Sequence, residues 1–190
     1  KWWGDETFVL SYWLDRARRD LYFAAMMPQS TWPREASFVP ADVDEMRAAF
    51  RHFHPDVRRM LAGAPPGSVA KWALFERPPR FEFGTGRVIL IGDACHPMRP
   101  FMSQGAAMAL EDAAMLTRAV LGEGDFMRAL QTFADARRER LTRVHRVSAA
   151  NTFMRGETDP QWVFGYDVLS ADASARLPAL YTPSASAMAA

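Results

Sequence analysis

The sequence has one cysteine, no long apolar run and almost no net charge, and each of these absences excludes a class of protein. Cys95 cannot form an internal disulfide on its own, which favours a cytoplasmic protein. No segment approaches the roughly 20 apolar residues that a membrane helix needs, and no signal peptide is recognisable at the start. A formal net charge of +1 gives no electrostatic basis for binding nucleic acid or an anionic membrane.

Length and composition are those of a globular protein with a sizeable core. The 190 residues are 49% hydrophobic and 24% charged, and they are enough for parts of two domains. The chain opens at Lys1 without Met, directly ahead of strand-like sequence, so we expect it to come from the middle of a longer protein. We place the domain boundary after residue 84, which gives domains over 1–84 and 85–190.

The first domain is predicted to mix strands with short helices. Three segments are rich in aromatic or alternating apolar residues and are predicted as strands, the first two as an antiparallel hairpin: 7–14, 20–27 and 69–76. Two segments have apolar residues at helical spacing and are predicted as helices: 42–53 and 55–61. A loop is predicted over 28–40.

The second domain contains the segment that says most about function. Residues 87–91 form an unalternating apolar run, which predicts a strand buried on both faces. The run ends at Gly92 and Asp93, and a helix that is apolar almost all round follows over 104–121. Ligands of open α/β sheets bind at the carboxyl ends of strands, and a helix N-terminus favours electron-rich groups. The sequence therefore predicts a ligand site where Asp93 meets the start of this helix.

A long second helix is predicted from Asp125 to about Met154. One side carries an apolar stripe and the other carries a row of arginines, which we interpret as a solvated face, with an interaction surface as the alternative: Arg137, Arg138, Arg140, Arg143 and Arg146. The Ala/Ser-rich tail beyond Ser170 is predicted to fray.

The spacing of the residues after the predicted strand is specific. Gly92-Asp-Ala-Cys-His96 is followed by Pro100, Gly105, Ala109 and Asp112. This pattern resembles the second FAD-binding signature of the aromatic-ring hydroxylases, the single-component flavoprotein monooxygenases of the p-hydroxybenzoate and salicylate hydroxylase type. The segment 133–140 also resembles a Y/F-E-x-x-R-x-x-R helix of that family. Within it, the chain is most similar to the branch that contains salicylate and 6-hydroxynicotinate hydroxylases.

The resemblance implies an α/β fold: part of an FAD/NAD(P)-binding fold like that of p-hydroxybenzoate hydroxylase, with an attached substrate-domain β-sheet. It implies a C-terminal half of an enzyme that uses FAD, NAD(P)H and O2 to hydroxylate a small phenol- or hydroxypyridine-like substrate. No metal is expected, and a homodimer is left open. The family's glycine-rich G-x-G-x-x-G and middle D-G motifs are absent from these residues, so the chain alone is not expected to bind FAD tightly.

The resemblance also implies roles for single residues. Asp93 would accept hydrogen bonds from the ribityl hydroxyls of FAD, and backbone N–H groups at the helix start would face the flavin pyrimidine edge. Gly105 would remove a Cβ where the ring must approach the chain. The full set of expected FAD-binding residues is Gly92, Asp93, Pro100, Gln104, Gly105, Ala106 and Ala107.

Catalytic and substrate residues are less sharply indicated. His96 is either an acid–base group or a hydrogen-bond partner that fixes the loop, and the Pro100 carbonyl would line the oxygenation site. Phe101 and Met102 would form either an apolar wall near the flavin or part of the core. Ser11 and Trp13, or else Tyr12, are predicted to face the substrate from the first domain, because strand alternation places Ser11 and Trp13 on one face and Tyr12 on the other. The rival functions are an epoxidase or other oxidoreductase of the same superfamily, and a non-catalytic truncated remnant.

Overall fold

The computed structural model describes residues 1–29, 31–32, 36–81 and 84–171. These residues fall in two compact units, of which the first is Lys1–Leu74 and the second begins at Phe75. The predicted boundary after residue 84 therefore lies inside the second unit. The tail that was expected to fray falls, from residue 172 onward, outside the described residues. No helix in the described part of the chain is long and apolar enough to cross a bilayer.

The first unit contains a three-stranded antiparallel sheet, β1-β2-β3 in spatial order, with strands at Trp2–Trp3, Phe8–Trp13 and Leu21–Met26. Phe8 pairs with Met26 and Trp13 with Leu21, which confirms the predicted hairpin. Because side chains alternate along β2, Ser11 and Trp13 share a face with Val9, which is fully buried in the core of this unit.

A second antiparallel pair joins β4 (Phe38–Pro40) to β5 (Ala70–Trp72). The loop prediction over 28–40 was therefore wrong at its end, and β5 is shorter than the predicted strand. Residues 30 and 33–35 of that loop lie outside the described residues. A three-residue strand such as β4 is too short for its alternation to be recognised in a sequence, which explains the missed element.

Two short helices, α1 (Val43–Ala49) and α2 (Pro55–Ala62), cover the core of the first unit. The Asp42 side chain accepts a hydrogen bond from the Asp44 N–H at 2.9 Å and so caps α1. Helix α1 ends at Ala49, short of the predicted end at residue 53, whereas α2 matches its prediction within one residue. The buried side chains of this core are Val9, Phe50, Phe53, Val57 and Leu61.

The second unit is dominated by two packed helices, α3 (Gly105–Gly122) and α4 (Phe126–Ala150). They follow a small hairpin of β6 (Gly84–Thr85) and β7 (Val88–Ile89), and a short helix α5 (Gln161–Phe164) is the last element within the described residues. The core of the unit consists of apolar side chains from α3, α4 and the loop before α3: Cys95, Met108, Met115, Ala119, Ala129, Phe133, Ala134, Leu141 and Val144.

Two predictions for the second unit were wrong. The run 87–91 is not a strand buried on both faces: only Val88–Ile89 is extended, it pairs antiparallel with β6, and Val88 is 67% exposed. Burial on both faces requires a layer on each side, and within the described residues β7 has one short partner strand. Helix α4 ends at Ala150 because Asn151 adopts a left-handed conformation, with φ of 51°.

Candidate flavin site

The loop from Gly92 to His96 begins with a glycine in the left-handed backbone region. Gly92 has φ of 60°, a conformation that side chains with a Cβ disfavour. Gly92 opens a 3-10 turn, and its carbonyl oxygen accepts hydrogen bonds from the N–H groups of Cys95 at 2.8 Å and His96 at 3.0 Å. A Cβ at Gly92 would also lie 3.1 Å from the Cβ of Ala109 on α3. The loop therefore lies directly on the helix because Gly92 has no side chain.

Replacing Gly92 by alanine is expected to destabilise the second unit by about 2 kcal/mol, from the left-handed backbone and the tight contact with α3. Gly122→Ala is the matched control, because a Cβ there meets nothing within 4 Å and the residue is helical. The control is expected to leave stability unchanged or slightly raised. The urea midpoints of Gly92→Ala and Gly122→Ala, measured by circular dichroism, test this difference in stability. Equal midpoints would contradict the prediction.

Asp93 lies at the N-terminus of α3. Its carboxylate is exposed, and a Cβ placed on Gly105 would lie 3.7 Å from its Oδ1 atom. The side chain of Gln104 does not cap the helix and instead donates from Nε2 to the Met102 carbonyl at 3.3 Å. The first N–H groups of a helix have no acceptor within it, and an 18-residue helix carries partial positive charge at this end.

These features bring an acceptor and donors together. The structure places Asp93 beside Gly105, whose neighbours Ala106 and Ala107 carry the following N–H groups of α3. Such a site suits a ligand that has hydroxyl groups for the carboxylate and an electron-rich edge for the helix N-terminus. The residues present fit FAD in this respect, because its ribityl chain and its pyrimidine edge supply these two kinds of group.

The turn before α3 is built from Pro100, Phe101 and Met102. These three residues form a 3-10 turn that ends at Ser103, which has a φ of 54° and donates its N–H to the Pro100 carbonyl at 3.0 Å. Met102 is buried against Phe153 and Val163, so its side chain belongs to the core. Phe101 is half-buried and Pro100 is exposed. A substrate role for Phe101 and a catalytic role for Pro100 stay predictions.

A buried carboxylate holds the loop from inside. Asp112 on α3 is fully buried, and its Oδ2 atom accepts hydrogen bonds from the Gly92 N–H at 3.0 Å and from His96 Nε2 at 2.6 Å. Its other oxygen, Oδ1, accepts from Nε of Arg137 at 2.8 Å. One carboxylate thus connects both ends of the loop to both long helices.

The row of arginines on α4 was predicted to be a solvated face. That prediction was wrong at two of its positions. Arg137 and Arg140 are 0% and 2% exposed, respectively. Arg137 Nη1 donates to Glu111 at 2.6 Å, and Arg140 donates to both oxygens of Glu111 at 2.6 Å each. Arg140 also donates to the carbonyls of Trp162 and Val163. These guanidinium groups are buried because two adjacent carboxylates on α3 neutralise them.

The pKa of Asp112 is lowered. Burial by itself would raise it, but the hydrogen bonds from His96 and Gly92 and the charge of Arg137 outweigh that effect. The folded state therefore favours the ionised carboxylate. Its contribution to stability is complete above the ordinary aspartate value of 3.8 and is lost as the pH falls towards the lowered value of the folded protein.

His96 is fully buried, and its Nε2 contact with Asp112 matches the geometry of a loop-fixing hydrogen-bond partner. An acid–base role would require access to a reacting group. The catalytic assignment of His96 stays a prediction. Ser11 and Trp13 lie in the first unit, with Ser11 half-buried and Trp13 exposed, and their substrate role likewise stays a prediction.

Cys95 is expected to be chemically inert in the folded protein. Burial, reinforced by the charge of Asp112, raises the pKa of its thiol to about 11. A chromogenic disulfide reagent at mildly alkaline pH should therefore release colour from the denatured chain and almost none from the native one. Rapid reaction of the native protein would contradict this prediction, and the denatured sample controls for thiol oxidation.

Sequence reasoning missed the ion-pair partners of this site. Asp112 and the R-x-x-R spacing on α4 were noted only for their resemblance to family motifs, and Glu111 was given no role. Two adjacent acids on a buried helix and two arginines one turn apart on the next helix were the available signal. The role of Arg77 had no such signal: its guanidinium donates to the carbonyls of Ala94 and Cys95, the latter at 3.0 Å.

Comparison with known proteins defines the class. The fold matches a salicylate hydroxylase solved as a substrate complex, with a TM-score of 0.70 at 26% identity, over 86% of this chain and 46% of that one. It also matches the structure of CtdE in complex with FAD and substrate 4, with a TM-score of 0.69 at 22% identity, over 87% of this chain and 45% of that one. The second likeness concerns the fold alone.

Comparison of the sequence with known families and proteins identifies the family. Residues 16–148 match the family described as "FAD binding domain", and the chain belongs to that family. It is 45% identical over 170 residues to a 6-hydroxynicotinate 3-monooxygenase of Bordetella bronchiseptica, covering 88% of this chain and 44% of that protein. It is 39% identical over 172 residues to one of Pseudomonas fluorescens, covering 90% and 44%. The chain thus spans less than half the length of these relatives. The resemblance and the fold class predicted from residues 92–112 are confirmed.

Proposed function

We propose that this chain supplies the C-terminal half of an FAD-dependent monooxygenase that hydroxylates a small phenol- or hydroxypyridine-like ring. The observation that carries the proposal is the exposed carboxylate of Asp93 beside Gly105 at the uncapped N-terminus of α3. The similarity to two 6-hydroxynicotinate 3-monooxygenases supports the substrate class. The single cysteine supports a cytoplasmic location. A homodimer stays a prediction.

In this proposal each residue of the site has a simple task. Asp93 accepts hydrogen bonds from the ribityl hydroxyls, and the N–H groups of Gly105, Ala106 and Ala107 stabilise negative charge on the pyrimidine edge. Gly105 has no side chain that would contact the ring system. The side chain of Gln104 is held by its hydrogen bond to the Met102 carbonyl. When bound, FAD would carry electrons from NAD(P)H to O2 for transfer of one oxygen atom to the aromatic ring.

The test begins with the complete coding sequence. The proposal requires a dinucleotide-binding βαβ unit ahead of Lys1, and without one it fails for this polypeptide. The full-length protein, incubated with FAD, NADH or NADPH and 6-hydroxynicotinate or salicylate under isotopically labelled O2, is expected to give a ring-hydroxylated product that carries one labelled oxygen atom, with the ring intact. Where the new hydroxyl group enters at the carbon that bears the carboxylate, that carboxylate leaves as CO2. An epoxide or a reduced ring would indicate another oxidoreductase of the superfamily. A protein with no flavin absorbance and no product would indicate a non-catalytic remnant.

A further inference from the structure

Asp112 contacts the Gly92–His96 loop on both sides of Asp93, an exposed residue of that loop. Its Oδ2 atom accepts from the N–H of Gly92, the residue before Asp93, and from the ring of His96, three residues after it. Gly92 and His96 are buried, whereas Asp93 between them is exposed. We propose that Asp112 is a positioning residue that fixes the Gly92–His96 loop so that the Asp93 carboxylate stays at the N-terminus of α3. This inference rests on the proposed function for its effect on FAD.

The acceptor has to be a carboxylate because three donors converge on it. An asparagine side chain has one acceptor oxygen, so its NH2 group would face at least one of the N–H groups of Gly92, His96 and Arg137. Hydrogen bonds to an ionised acceptor are also stronger than those to a neutral one. Asp112 therefore has a task in the loop that a side chain of the same shape without charge cannot perform.

The arginines keep this carboxylate ionised and oriented. Arg137 binds Asp112 through Nε and Glu111 through Nη1, and Arg140 binds both oxygens of Glu111. The carboxylates of buried Asp112 and partly buried Glu111 are thus matched by two buried positive charges. His96 contacts the carboxylate of Asp112 through Nε2.

Nδ1 of His96 is buried and has no hydrogen-bond partner within the described residues. The loop is further held on its other side by Arg77, which donates to the carbonyls of Ala94 and Cys95. Asp112, in contrast, accepts hydrogen bonds from both the residue before Asp93 and the loop's last residue.

The first measurement needs no flavin. Amide hydrogen exchange of the chain, resolved at Gly92 and His96, is expected to accelerate at least tenfold in Asp112→Asn and to stay unchanged in Asp135→Asn. Asp135 is the matched control because it is an exposed carboxylate on α4. Unchanged exchange at Gly92 in folded Asp112→Asn would overturn the proposal whether or not the protein binds FAD.

The second measurement links the loop to the cofactor. In the full-length protein, Asp112→Asn is expected to weaken FAD binding about tenfold, and combining it with Asp93→Asn should weaken binding little beyond Asp93→Asn alone. Strict additivity would mean that Asp112 does not act through Asp93 and would overturn the proposal. If the wild type binds no FAD while the exchange result holds, the proposed function fails and the loop-positioning role stands.

A second pair of variants covers the case in which Asp112→Asn does not fold. His96→Leu removes the donor at Nε2, and His96→Gln retains a donor near the position of Nε2. We expect faster Gly92 exchange in the leucine variant and substantial recovery in the glutamine variant. Equal exchange rates in the two variants and the wild type would overturn the proposal, because a role in filling space alone does not depend on the donor.

Discussion

Replacing Arg137 by methionine is expected to destabilise the second unit by about 3–5 kcal/mol, which is the cost of leaving a buried charge without its partner. Methionine retains much of the length and apolar contact of the side chain but removes the donors to Asp112 and Glu111. Both carboxylates would then share a buried region with Arg140 as the remaining cation of the network. Few single substitutions in this chain should cost as much.

The neighbouring arginine supplies the control. Arg138→Met makes the same chemical change one residue along the same helix, where the side chain is 53% exposed and lies 4.0 Å from Asp135. A loss below about 1 kcal/mol is expected there, because exposed ion pairs contribute little. Arg137→Lys should fall between the two variants, since it keeps the charge but not the fork of donors. Urea midpoints measured by far-UV circular dichroism, to which α3 and α4 contribute strongly, test the ranking. Equal midpoints for Arg137→Met and Arg138→Met would contradict it.

The second large effect concerns the cofactor. Asp93→Asn in the full-length protein is expected to raise the Kd for FAD about 10- to 100-fold, because hydrogen bonds to a charged acceptor contribute about 1.5–3 kcal/mol. Folding should be unaffected, since Asp93 is exposed and the loop is held by other residues. The Kd follows from quenching of flavin fluorescence on titration.

The same titration with Asp135→Asn measures how the loss of a distant surface charge changes the Kd for FAD. A Kd shift shared by the two variants would reflect net charge alone and would contradict a direct role for Asp93. A folded Asp93→Asn protein with wild-type affinity would also contradict it. A shift confined to Asp93 supports the proposed flavin site at the start of α3.

Most of the architecture that depends on local pattern was predictable. The β2–β3 hairpin, helix α2 and helix α3 lie within a residue or two of their predicted bounds, because each carries its own periodicity and its own breaking residues. The site was predictable as far as the spacing of Gly92, Asp93 and Gly105 allowed. Elements of two or three residues, such as β4, were not, since they contain too few positions to show a period.

Burial was the harder prediction because it depends on what packs against a segment. The run 87–91 has the composition of a doubly covered strand, yet Val88 is exposed in the described structure. The arginine row has the composition of a solvated face, yet Arg137 and Arg140 are buried. In both cases the residue type was a poor guide, since the deciding neighbours lie far away along the chain.

The sequence by itself determined the family and the order of short strand, loop and helix around Gly92, because these follow from fixed spacing and local backbone requirements. The tertiary structure decided how that loop is held. Asp112 lies twenty residues after Gly92 and twenty-five before Arg137. Only the packing of α3 on α4 brings the three together, and only burial from water makes their charges bind tightly enough to fix the loop.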